Sequence, residues 1–142
     1  MLAVIRMLIV AVVAACTPSM YRTEVPPPSH AMAAAVAVGT WQSNFGYVTI
    51  EEDGSRGGLE LGAVSGAWTY ADPDSLHEVT GHFSGTLQGS VLRLRWQEGE
   101  ELGDGFLEFA ATGESYTGKW WNAERSKTGM WFGWRMTPGS EE

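Results

Sequence analysis

Cysteine is all but missing from this chain: Cys16 is the only one in 142 residues, so no disulfide can form within it. Positive charge is scarce as well. Lys and Arg number 9 against 17 Asp and Glu, a formal net charge of −8. That balance excludes the phosphate-neutralising surface of a nucleic-acid binder and disfavours electrostatic adhesion to anionic lipid. The longest apolar run, Met7 to Ala15, has less than half of the roughly 20 residues that a membrane-crossing helix takes. No long segment carries apolar residues at helical spacing. Also lacking are a Gly-x-Ser-x-Gly elbow, a P-loop, a dinucleotide fingerprint and a His/Cys/Asp cluster at metal-ligand spacing. No catalytic residue, metal site or cofactor is therefore assigned.

The short apolar run fits a different role. It follows the lone charge Arg6 and ends in small residues, Val13-Ala14-Ala15-Cys16, which is the layout of a secretory signal. This ending resembles the lipobox of bacterial lipoproteins. The resemblance implies a signal peptide over residues 1–15, cleavage before Cys16, and acylation of its thiol and of the new amino terminus. It also implies a lipid bilayer as partner and an envelope location. In a Gram-negative host that would be the outer membrane, because Thr17 rather than Asp follows the cysteine. Removing Arg6 with the signal takes the formal charge to −9. Residues 16–38 include Pro18, Pro26, Pro27 and Pro28. Because Pro fixes φ and cannot donate to a ladder, this stretch predicts a flexible, partly polyproline spacer. Met32 to Val38 reads either as a short helical turn or as the lead-in to the first strand.

From Gly39 to Pro138 the composition shifts to Gly, Thr, Ser and Val, and all seven Trp lie there. Short alternating runs broken by Gly, Asp-Gly and Pro-Asp predict one all-β domain, with residues 139–142 as a disordered tail. Strands are expected over 40–44, 47–51, 58–63 and 65–70 (or these last two as one long bent strand), 77–87, 90–97, 106–111, 116–121 and 129–136. Asn44-Phe45-Gly46 would kink the first pair, Asp53-Gly54 would turn tightly, and residues 98–104 would form an acidic loop. In Val91-Leu92-Arg93-Leu94-Arg95-Trp96, one face carries Leu92, Leu94 and Trp96, and the other carries the arginines with Val91. Gly, any residue, then an aromatic recurs at Gly39, Gly66, Gly81, Gly118 and Gly129. A glycine on the same face as a large ring leaves room for a neighbour's ring or lets a barrel strand bend. The pattern predicts an up-and-down antiparallel barrel of about eight strands, with a curled β-sandwich as the alternative.

Gly39-Thr40-Trp41-Gln42-Ser43-Asn44-Phe45-Gly46-Tyr47-Val48-Thr49-Ile50 resembles the first hairpin of avidin-like and other calycin barrels. Gly66-Ala67-Trp68-Thr69-Tyr70 and Tyr116-Thr117-Gly118-Lys119-Trp120 resemble later strands of the same family. The resemblance implies a ligand site inside a barrel. The positions that hold biotin in avidins carry Ser43, Tyr47, Trp68 and Tyr70 here, so the biotin chemistry does not transfer. Adjacent Trp120 and Trp121 face opposite sides of a regular strand, and Trp131 and Trp134 have opposite parity. At least one of each pair must line a lumen, sit under a loop or lie exposed.

Core packing accounts for tryptophan in small β-domains, and a stacking platform for a flat ligand accounts for it elsewhere. The candidate ligand-binding residues are Trp41, Ser43, Tyr47, Trp68, Tyr70, Trp96, Trp121 and Trp134. His77, His82 and the acidic turns read as surface groups. Together these features predict a non-enzymatic, lipid-anchored binding module for a small ligand, a glycan or a protein. The alternative is an acidic inhibitor or accessory protein docking on a basic envelope enzyme such as a lysozyme.

Overall fold

The computed structural model describes residues 25–136. The expected signal peptide, the lipidation of Cys16 and the tail at 139–142 lie outside them. Eight antiparallel strands follow one another round a closed barrel: β1 (Gly39–Ser43), β2 (Gly46–Glu52), β3 (Ala63–Ala71), β4 (Glu78–Gln88), β5 (Val91–Glu98), β6 (Glu101–Phe109), β7 (Ser115–Asn122) and β8 (Thr128–Arg135). The last strand returns to the first, from Trp41 opposite Arg135 to Ser43 opposite Gly133. The closed barrel, and not the sandwich, is the architecture.

Alternation along each strand sorts side chains between lumen and solvent. β5 keeps Leu92, Leu94 and Trp96 buried and Arg93 and Arg95 exposed. Val91 shares the arginine face yet is only 2% exposed, because Val25 to Pro28 lie alongside it. Glycine makes room in the lumen for rings of the adjacent strand. A Cβ at Gly66 would strike the Phe83 ring, one at Gly81 the Trp68 ring, and one at Gly103 the Trp96 ring. With so many rings, eight strands enclose a lumen that side chains can nearly fill.

One end of the barrel is shut. A 3₁₀ turn at Ala34–Ala37 lies across it, and the Trp41 indole donates to Ala37 O at 3.1 Å. Arg135 donates to Val36 O and, at 3.1 Å, to Val38 O, with its guanidinium 4.3 Å above the Trp41 ring. Upstream, Ser29 N donates to Ser90 Oγ at 2.9 Å, and the Ser29 hydroxyl reaches Glu108. The part of the expected spacer from Ser29 to Val38 is therefore bonded to the barrel, and Met32, Ala34 and Ala37 pack on its core.

Two expected elements differ. Of the expected strand 58–63, only Ala63 is extended, as the first residue of β3; residues 58–62 are the second half of a long connection, with 3₁₀ turns at Gly54–Arg56 and Leu59–Leu61. Gly57, Gly58 and Gly62 take φ of 99°, 67° and 71°, which breaks an extended path. Asp53 caps the first turn by accepting from Ser55 N at 3.1 Å, so Asp53-Gly54 starts this connection rather than a two-residue hairpin. The expected acidic loop at 98–104 is the turn at Gly99 and Glu100 followed directly by β6. The strand character of this first half of β6 is hidden in the sequence because Gly103 and Gly105, not apolar residues, occupy its inward positions, whereas Leu107 and Phe109 take them in the second half.

Candidate functional site

The other end of the barrel is open. Phe45, in the turn between β1 and β2, leans over it. That turn is fixed by the Ser43 hydroxyl, which accepts from Phe45 N at 3.0 Å and donates to Gly46 O at 2.8 Å. Gly46 follows at φ 82°, and a Cβ there would press on Thr69 O. Inside the rim, Trp68 and Tyr70 of β3, Trp96 of β5, Trp120 of β7 and Trp131 of β8 surround a cavity of about 240 Å³. Glu98, Glu101 and Lys127 supply its charges.

Hydrogen bonds hold several of these groups. Glu98 accepts from the Trp68 indole at 2.9 Å through one oxygen and from the Tyr70 hydroxyl at 3.1 Å through the other. The Trp96 indole donates to Asp104 O at 3.1 Å. Lys127 pairs with Glu101 at 3.2 Å. The indole N–H groups of Trp120 and Trp131 are buried without an acceptor. The Tyr70 phenol is pushed up to about 12, first by burial and then by its bond to Glu98 and the charges of Glu98 and Asp72. Deeper in the lumen, burial pushes the Tyr116 phenol well above its usual range, while Ser43 and Trp131 beside it act in the opposite sense. Its hydroxyl nonetheless meets no partner in full hydrogen-bond geometry.

Of the sequence-derived candidates, Trp68, Tyr70 and Trp96 come together at this mouth. Trp41 is fully buried in the core, against Phe109 and Tyr116. Ser43 supports the turn below Phe45. Tyr47 and Trp134 flank Gln42 on the outer wall, 56% and 47% exposed. Trp121 also faces outward, covered to 6% exposure with the Arg125 guanidinium 4.9 Å from its ring. The parity argument holds for both pairs: Trp120 and Trp131 are the inward members. The Gly-x-aromatic pattern carried the signal that picks them out, since Gly118 and Gly129 share their face. Phe45, Glu98, Glu101 and Lys127 were missed, because turn and strand-end residues give no periodic cue.

A larger hollow of about 720 Å³ lies on the outer wall across β2 to β6. Its polar groups, among them His82, Ser84, Arg95 and Gln97, are exposed strand residues. His77 lies in the exposed loop before β4 and does not meet His82. In that loop Asp72 accepts from Asp74 N at 3.1 Å and the Ser75 hydroxyl at 3.0 Å, bonds that shape the loop itself. Among the described residues no group of three His, Cys, Asp or Glu side chains could hold a metal ion. No protein-family model, no curated protein and no solved structure matches this chain.

Proposed function

We propose that this chain is a lipid-anchored envelope protein whose barrel binds a small ligand in its aromatic mouth without transforming it. The observation that carries this reading is the convergence of four indoles, Phe45 and Tyr70 on one open cavity. A concave, mainly apolar site with a few placed polar groups is the usual form of a small-molecule pocket. The carboxylates there serve as acceptors, Glu98 from Trp68 and Tyr70, Glu101 from Lys127. That engagement supports recognition over turnover. The anchor rests on the lipobox-like Val13-Ala14-Ala15-Cys16 and on the apolar run before it.

Two measurements test the reading. The full chain is screened against sugars, lipids and small aromatic or charged compounds by intrinsic tryptophan fluorescence and thermal shift. A ligand that binds only the folded state raises the melting temperature, by about 2.7 kcal/mol of stabilisation at a hundredfold excess over Kd. We expect a saturable signal that Trp120→Leu abolishes in a protein that still folds. A flat screen, or one untouched by that change, rejects the mouth as the site. In parallel, Cys16→Ala is expected to move the expressed protein out of the membrane fraction; unchanged fractionation rejects the lipid anchor.

A further inference from the structure

The walls of the mouth are set at steep angles to one another. Trp96 meets Trp120 at 88° with centroids 5.9 Å apart, Phe45 meets Trp131 at 88° and 5.8 Å, and Trp68 meets Trp131 at 78° and 5.2 Å. Rings packed edge to face around one opening present π faces from more than one side. A π face carries negative potential and attracts a cation, most strongly when the ring is Trp. Glu98 adds a full charge among these rings. Its two bonds come from neutral donors, which fix the carboxylate without cancelling it. Lys127, the ammonium on the rim, pairs with the other carboxylate, Glu101. The lining therefore holds two carboxylates against one cation. A neutral guest would take water from Glu98 and return no counter-charge. A bare metal ion would find indoles where it needs an oxygen cage.

Resting on the mouth as the binding site, we infer that its ligand is a compact organic cation, a quaternary or tertiary ammonium. The alkyl groups lie against the indoles and the charge faces Glu98. The test compares choline with the alcohol in which a tert-butyl group replaces its trimethylammonium, both titrated into the full chain by tryptophan fluorescence. We expect choline to bind at least about tenfold more tightly than its isostere, given cation–π and carboxylate terms near 1.4 kcal/mol together. Glu98→Gln keeps an acceptor for Trp68 and should erase most of that preference. Lys127→Met, at an exposed position, removes the competing cation and should widen the preference for choline over its isostere a few-fold. Equal binding of the two compounds, or a preference that survives Glu98→Gln and ignores Lys127→Met, overturns the inference and leaves the mouth as a neutral pocket. Binding of other screened compounds with neither of these two also overturns it. Failure of every compound to bind removes the proposed function along with it.

Discussion

An alanine at Gly81 would put its Cβ on the Trp68 indole, and one at Gly129 would press on the Trp120 ring. These glycines are seats for rings that belong to neighbouring strands. We predict that Gly81→Ala destabilises the barrel by about 1–3 kcal/mol, the usual cost of overpacking, read from the urea midpoint. A midpoint equal to that of the parent would mean the indole does not rest there. Tyr70 makes a second prediction at this scale. Its folded-state pKa is raised, so its contribution to stability is complete below the ordinary phenol value of about 10 and is lost as pH rises towards about 12. Melting temperatures between about pH 9 and about pH 11 should fall less steeply in Tyr70→Phe than in the parent. Identical slopes would assign the alkaline loss to another group.

The element that most alters the picture is the segment before β1. Its 3₁₀ turn shuts one end of the barrel, and Arg135, from the far end of the chain, clamps it through Val36 O, Val38 O and Gly113 O. The same guanidinium covers Trp41, so one side chain joins the first strand, the last strand and the plug. Arg135→Met keeps most of the stem but removes every donor. We predict a loss of roughly 2–4 kcal/mol, since carbonyls bonded to a charged donor are left under-satisfied. Hydrogen exchange should report faster amides through Ala34–Ala37 in that variant. Parental stability in Arg135→Met would show that the apolar plug alone holds the end shut.

For the molecule as a whole, closure abolishes free strand edges. The seam is nevertheless its shortest pairing, running from Trp41–Arg135 to Ser43–Gly133, whereas β3 pairs with β4 over the full length of Ala63–Ala71. Local opening follows the weakest set of contacts. We predict that amides of β1 and β8 exchange faster than those of β3 and β4, measured on the full chain by mass spectrometry. Uniform protection across all eight strands would contradict a weak seam. The two ends also differ in kind: the plug shuts one, and the other leaves open the aromatic mouth proposed as the ligand site.

The sequence by itself determined the class and the counting. Period-two alternation and punctuating glycines implied an all-β domain of about eight strands, with barrel preferred over curled sandwich, and the ring-bearing strands were legible from Gly-x-aromatic spacing, because a strand's faces alternate whatever lies opposite. It also identified Trp68, Tyr70 and Trp96, which do meet at one end. Three matters were decided only by tertiary structure. The first half of β6 was concealed because its inward positions there are Gly103 and Gly105, whose purpose shows only once Trp96 occupies the space beside Gly103. The spacer from Ser29 became a plug because its partners, Ser90, Glu108 and Arg135, lie 61, 79 and 99 residues away along the chain. Glu98 entered the site because strand pairing carried it beside Trp68 and Tyr70, nearly thirty residues upstream. Local pattern fixes which way a side chain points; only closure of the barrel fixes what it points at.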